Sequence, residues 1–318
     1  MANEFTSILT GGYSDNTVKT AYDLAFGMVL RETPTYRNWV SKGPTSMTQP
    51  GQSIVLQKYD WFNAAAVTAA KTPLNEETDV DSRKLPATVP VTLTVNEYGD
   101  AVTATKKLRV FSMGDIDTYA AMAVANHCSE VLDELVQDVL VGGTQVIRGG
   151  AKAATNLVTA SDKLVAADVR KARTKLVANK VVPWNGRFYA GGAHPHVIHD
   201  LREETGSGSW RVPTEYGASQ ANIWSGEIGE FEGIRFVENT RTRKATDGAS
   251  SAVVYRTFFQ GREALAERVV EEPNVVLGPV TDKLQRFRTV GWYGILGWVL
   301  YRNEALVVGQ HGSSVAAL

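Results

Sequence analysis

Between Gly43 and about Val110 the chain has strand-like segments flanking a polar stretch that cannot build a core of its own. The run Ile54-Val55-Leu56-Gln57-Lys58-Tyr59-Asp60-Trp61-Phe62 precedes it, and Val89-Pro90-Val91-Thr92-Leu93-Thr94-Val95 and Ala101-Val102-Thr103-Ala104-Thr105 follow. These flanks are rich in Val, Ile and Thr with partial alternation, so they read as strands. The insert, Lys71-Thr72-Pro73-Leu74-Asn75-Glu76-Glu77-Thr78-Asp79-Val80-Asp81, is charged and broken by proline. Structureless loops of this length are uncommon inside a compact domain unless they are functional or disordered. An ordered arm without a core needs a surface to lie on, and a neighbouring copy is the natural one. Contacts between copies are therefore expected from Trp61, Phe62, Lys71, Glu76, Glu77, Asp79, Arg83 and Lys84.

Bulk properties narrow the class further. At 318 residues the chain is long enough for two ordinary domains, and 43% hydrophobic with 21% charged residues is globular composition. A formal net charge of −1 gives no global argument for nucleic-acid or membrane-surface binding. The basic clusters Lys106-Lys107-Leu108-Arg109 and Arg241-Thr242-Arg243-Lys244 read as solvated strand or turn faces. A single cysteine, Cys128, allows neither an intrachain disulfide nor a cysteine-based metal site. No basic segment followed by an apolar run opens the chain, so no secretion signal is expected. The uncharged stretch Thr289–Tyr301 is too short for a membrane helix and suits buried strands. The expectation is a soluble chain made in the cytoplasm, with no membrane partner.

Along the chain, Val18–Glu32 has helical spacing and stops before Pro34, and Gly43-Pro44 and Pro50-Gly51 are breaker pairs. Asn96-Glu97-Tyr98-Gly99-Asp100 reads as a turn between two strands. The clearest helix is Met113–Val141, opened by Ser112 with Asp115 and stopped by Gly142-Gly143. Ile116, Tyr119, Ala123, Cys128, Val131, Leu135 and Val139 are expected on its buried face, with Asp115, Asp117, Glu130, Glu134 and Asp138 outside. At 1.5 Å per residue it measures about 40 Å, the proportions of a structural beam.

A loop over Lys152–Ala160 leads to a second helix, Asp162–Asn179, capped by Ser161. Arg187–His194 reads as a strand, His196–Glu204 as a short helix and Thr205–Ser209 as a flexible tip. Phe231–Glu238 alternates strictly and reads as one strand. Thr240–Ser251 reads as a polar loop, and Val253–Phe259, Val275–Leu277 and Phe287–Val308 as strands. Interspersed helices and mostly antiparallel strands argue an α+β fold.

No residue set makes a strong case for chemistry. His194, His196 and His199, with Asp200, invite a metal reading, but no second ligand cluster and no HExxH accompanies them. Pro195 starting a helix, with the histidines capping it or facing solvent, accounts for the same residues. There is no Gly-x-Ser-x-Gly, and Cys128 sits on an apolar helix face. Gly291, Gly294 and Gly297 fall in an aromatic strand region where missing side chains permit close packing. No enzyme activity, cofactor or metal is expected.

Taken in order, several segments resemble tailed-bacteriophage major capsid proteins of the Hong Kong 97 fold, most nearly the N-four-like and actinobacterial phage branch. They are Asn96-Glu97-Tyr98-Gly99, Leu157-Val158-Thr159-Ala160-Ser161-Asp162, Asp168-Val169-Arg170-Lys171-Ala172 and His194-Pro195-His196-Val197-Ile198-His199-Asp200-Leu201-Arg202. Trp210, Tyr216, Gly226-Glu227-Ile228-Gly229 and Gly233-Ile234-Arg235-Phe236-Val237-Glu238 continue the set. The resemblance implies an N-terminal arm over 1–45 and an extended β-hairpin loop with flanking strands over 46–110. It implies a peripheral domain with a spine helix over 111–159, an axial domain over 160–270, and peripheral return strands over 271–318. It further implies self-assembly as pentamers and hexamers into an icosahedral virion shell around double-stranded DNA, without sequence-specific binding. Portal, scaffold and decoration proteins would be its partners. An encapsulin-like compartment shell is the alternative of related architecture, and a metal-dependent hydrolase using the three histidines the alternative of another class.

Overall fold

The computed structural model describes residues 35–42, 53–59, 70–71, 73–77, 79, 84–112, 116–184, 186–204, 227–278, 284 and 286–315. The expected helix Val18–Glu32, both breaker pairs and the tip Thr205–Ser209 lie outside them. The chain divides into two compact units, one of residues 1–33, 98–130 and 273–294, the other of 34–97, 131–272 and 295–318. In chain order the strands are β1 (Ser41–Lys42), β2 (Ser53–Lys58), β3 (Val89–Thr94), β4 (Asn96–Thr105), β5 (Val146–Arg148), β6 (Tyr189–Ala193) and β7 (Glu227–Phe231). They continue with β8 (Ile234–Glu238), β9 (Lys244–Ala245), β10 (Val254–Gln260), β11 (Leu265–Leu277), β12 (Phe287–Leu300) and β13 (Leu306–His311). The helices are α1 (Lys106–Phe111), α2 (Ile116–Val141), α3 (Ala166–Ala178) and α4 (Pro195–Glu203).

In the first unit, β4 from Tyr98 and β11 from Pro273 flank β12 up to Gly294. Thr103 and Thr289 bring their hydroxyls to 3.3 Å across β4 and β12, and the Gly278 N–H donates to Thr289 O at 2.8 Å. Asn96–Asp100 is not a turn but the first half of β4. Gly99 is there for close approach, since a Cβ on it would lie 2.7 Å from Trp292 O. Lys106–Arg109 belongs to helix α1, whose N-cap Thr105 accepts from the Leu108 N–H, not to a strand or turn. Ser112 is the C-cap of that helix, and the described part of the long helix begins at Ile116.

The second unit is built on a seven-stranded sheet of order β5-β13-β10-β6-β8-β7, with β9 beside β10. All of β10 is buried. Successive strand residues face opposite ways, so Phe258 and Phe259 each need a partner on a different face. Tyr36 meets Phe258 edge-on at 5.5 Å, and Phe236 meets Phe259 at 6.0 Å. The neighbouring strand makes room for both rings. A Cβ on Gly192 would lie 2.4 Å from the Tyr36 ring, and one on Gly191 2.8 Å from Ile234 and 3.2 Å from Phe236. Helix α3 packs on β13, β10 and β5 through one apolar face including Val169, Ala172 and Leu176.

Three boundaries differ from expectation for physical reasons. Phe231–Glu238 is a hairpin, with Glu232 and Gly233 at positive φ between β7 and β8. A two-residue turn keeps the alternation going through the reversal, so the pattern reads as one strand. Helix α3 starts at Ala166, not Asp162; Ser161 does not cap it, and the Glu204 carboxylate accepts from the Ala166 N–H at 2.6 Å. The buried face of α2 carries Val124, Cys128, Leu132, Val136 and Leu140, while Ala123 is exposed and Val131, Leu135 and Val139 are half-buried. Glu130, expected outside, is buried, as are Asp133 and Gln137.

Those buried polar groups have work to do. Asp133 Oδ1 accepts from the backbone N–H of Tyr36 (2.7 Å) and of Arg37 (3.2 Å), and Oδ2 accepts from Asn239 Nδ2 (3.2 Å). Burial raises the Asp133 pKa against these hydrogen bonds. Gln137 Oε1 accepts from the Arg243 N–H at 2.8 Å. Arg37 then reaches Glu267 at 2.7 Å, beside the parallel pairing of β1 with β11. The segment entering from the N-terminal side is thus latched onto α2 and the sheet.

Candidate assembly surface

The arm is a two-stranded antiparallel sheet of β2 and β3, in the register Ser53↔Thr94 through Lys58↔Val89. Ile54, Leu56, Val91 and Leu93 share its inner face, with Val89 half exposed at the outer end of that face and Val55 half exposed on the opposite one. Pro90 sits opposite Gln57, a position open to proline because, among the described residues, no further strand pairs with β3. The root is anchored within the second unit. Leu93 and Val95 are buried, and Gly297 lets Thr94 pass so closely that a Cβ would lie 2.3 Å from its carbonyl oxygen. Lys58 Nζ pairs with Glu304 at 3.1 Å, and Tyr301 Oη donates to Gln57 O at 3.2 Å. Burial opposes ionisation of Glu304, yet its own backbone N–H and Lys58 hold its pKa below the usual range.

Past Lys58 the described residues through Leu85 are exposed. Tyr59, Leu74 and Leu85 are 77%, 76% and 82% exposed, and no described residue between Ala70 and Thr88 belongs to a strand. An isolated hairpin is marginal in water, and these apolar side chains stand exposed along the segment beyond it. Of the contact residues expected from sequence, Lys71, Glu76, Glu77, Asp79 and Lys84 are exposed on this stretch. Trp61, Phe62 and Arg83 lie outside the described residues. In the first unit, helix α1 has no buried residue and exposes Leu108, Val110 and Phe111, a second uncovered apolar surface.

The histidine cluster does not converge. His194 is the N-cap of α4, accepting from the His196 N–H at 3.2 Å, with Pro195 as first helical residue. Burial, then the charges of His196 and Lys244, lower its pKa to about 4. His196 Nδ1 is 2.8 Å from Tyr255 Oη, and His199 is exposed. His199, Asp200 and Glu203 do approach one another. Asp200 is already engaged by Ser314 N–H and Oγ and by Lys163, which together outweigh burial and lower its pKa. Gly291 and Gly294 each face neighbouring backbone or proline atoms at 3.0 Å or less from a would-be Cβ, the close packing expected of the glycine triplet.

Sequence reading passed over the exposed face of α3, which carries Lys171, Arg173 and Lys175 with half-buried Arg170. The available signal was a run from Val169 to Phe188 without an acidic residue.

No protein-family model matches the chain, and no curated protein matches it. Solved structures do. The capsid of Ralstonia phage GP4 is similar at a TM-score of 0.77 and 13% identity, over 98% of this chain and 99% of that one. The cyanophage Pam1 capsid asymmetric unit is similar at 0.67 and 15% identity, over 99% and 100%. Mycobacterium phage Che8 follows at 0.62 and 18% identity, over 93% and 98%. The fold is therefore α+β of the tailed-phage capsid type, as the sequence resemblance implied.

Proposed function

We propose that this chain is the major capsid protein of a tailed phage, assembling as pentamers and hexamers into an icosahedral shell around double-stranded DNA. The observation that carries this reading is the likeness in fold over nearly the whole length of this chain and of a phage capsid chain. The exposed hairpin adds to it, because its distal described residues find no cover on their own chain. The mechanism is mechanical and involves no catalysis. Each arm overlaps a neighbouring copy through Tyr59, Trp61, Phe62, Leu74 and Leu85, with Lys71, Glu76, Glu77, Asp79, Arg83 and Lys84 adding polar contacts. Many modest interfaces, each closing a ring or shell, then sum by multivalency. Helix α2 serves as the spine of a peripheral domain, residues 160–270 form the axial domain, and portal, scaffold and decoration proteins complete the virion.

The register supplies a clean test. Lys58 pairs with Val89, so replacing residues 59–88 by Asn-Gly closes the same hairpin with a two-residue turn. The shortened protein should keep the thermal unfolding midpoint of the parent and fail to form closed particles by sedimentation. Particles formed as readily as by the full-length chain would remove the arm from assembly.

A further inference from the structure

We infer that the open face of α3, with the turn that follows it, contacts the phosphates of double-stranded DNA; the inference rests on the shell reading for the presence of a duplex. From Leu164 to Phe188 the chain holds six cations, Arg170, Lys171, Arg173, Lys175, Lys180 and Arg187, and one acid, Asp168. Helix packing sorts these charges. Ala166, Val169, Ala172 and Leu176 are buried towards the sheet, and Asp168 is buried with them, at 3% exposure. The cations are left on the solvent side. Lys171 folds back to Asp168 at 2.8 Å, Arg170 pairs with Glu232 at 2.9 Å and Arg187 approaches Glu230 at 3.8 Å. Among the described residues, Arg173, Lys175 and Lys180 have no carboxylate within ion-pair distance.

Six cations against Asp168, Glu230 and Glu232 leave an excess of three in a chain whose net charge is −1. The chemistry of the surface selects its partner. Protein interfaces are depleted of lysine at their centres and built around apolar anchors, whereas this face offers only Val177 and Val182 as exposed large apolar groups. Single-stranded nucleic acid is held on aromatic platforms, and α3 has no aromatic residue. Cations spread along a helix that carries no aromatic residue of its own fit the phosphate backbone of a duplex, which presents a charge about every 1.7 Å. Three uncompensated cations per copy bind weakly, and the array of copies in a shell multiplies the contact without immobilising the DNA at any one subunit.

The test is fluorescence anisotropy of the purified full-length protein with a labelled mixed-sequence duplex of roughly 30 base pairs, titrated across sodium chloride concentrations. Affinity should fall with salt at a log–log slope of about −3, from 0.9 per neutralised phosphate. R173Q/K175Q/K180Q should lose at least about tenfold in affinity at low salt and flatten the slope, with an unchanged unfolding midpoint. K106Q/K107Q on α1, equally exposed, should bind as the parent does. Parental slope in the triple variant would overturn the assignment, as would displacement of the duplex by polyglutamate at equal charge, which would mark an acidic protein segment as the partner. Particle formation is scored separately. Shells without salt-dependent duplex binding would remove this surface and leave the shell reading standing; binding through these residues without shells would do the reverse.

Discussion

Tyr36→Ala should destabilise the second unit by about 4 kcal/mol, a large share of the stability of an ordinary domain. Tyr36 is fully buried, with its ring edge-on to Trp39 at 5.6 Å and to Phe258 at 5.5 Å. Its removal leaves a cavity that Gly192, lying under the ring, cannot fill. The hydroxyl matters less. Thr242 donates its own proton to Asn239 O at 2.7 Å, so Tyr36 is the donor in the 2.6 Å contact with Thr242 Oγ1. Tyr36→Phe should therefore cost only about 1 kcal/mol. Chemical denaturation of both variants measures the difference. Equal losses would mean that the hydroxyl, not the packing of the ring, holds the entering segment in place.

Acid should weaken the fold well above the pH at which ordinary carboxylates protonate. His311 is fully buried at the end of β13, and burial followed by the positive charge of Lys171 lowers its pKa to about 3. Neither ring nitrogen has a hydrogen-bond partner among the described residues, and Asp168 Oδ2 is 3.9 Å from Nε2. His194 is held down to about 4. In the unfolded chain both return to the ordinary histidine value of 6.5, so below that pH the unfolded state binds more protons. The stability contributed by these neutral imidazoles is complete above pH 6.5 and is lost as pH falls towards 4 and then 3. At pH 4.5 the loss from His311 alone is about 3 kcal/mol, at 1.36 kcal/mol per pH unit. Asp200 and Glu304, with lowered pKa values, add to the acid loss at still lower pH, while Asp133, with a raised one, opposes it. Denaturation at pH 7 and pH 4.5 reads the total. In His311→Leu the difference between the two should shrink by about 3 kcal/mol; an undiminished difference would place the acid sensitivity elsewhere.

What could be read in the sequence was whatever local chemistry decides. The hairpin flanks, the polar insert, Gly142-Gly143 after α2 and Pro195 behind a capping His194 all follow from side chains acting on their own backbone. What could not be read depends on partners distant in the chain. The face of α2 is set partly by Asp133 and Gln137, polar residues buried to receive backbone N–H groups of Tyr36, Arg37 and Arg243. A rule that sends polar residues outward rotates that helix the wrong way. The cationic face of α3 was hidden for another reason: acids elsewhere cancel its charges in the total, and only the packing of Asp168 into the core shows that the cations are left facing solvent.

Electron micrographs and sedimentation velocity of the purified full-length protein, over a wide concentration range, test the shell reading most directly. The account predicts rings of five and six copies and closed particles of uniform diameter. A folded protein that stays monomeric at every concentration, with its hairpin protected from proteolysis on its own, would contradict it.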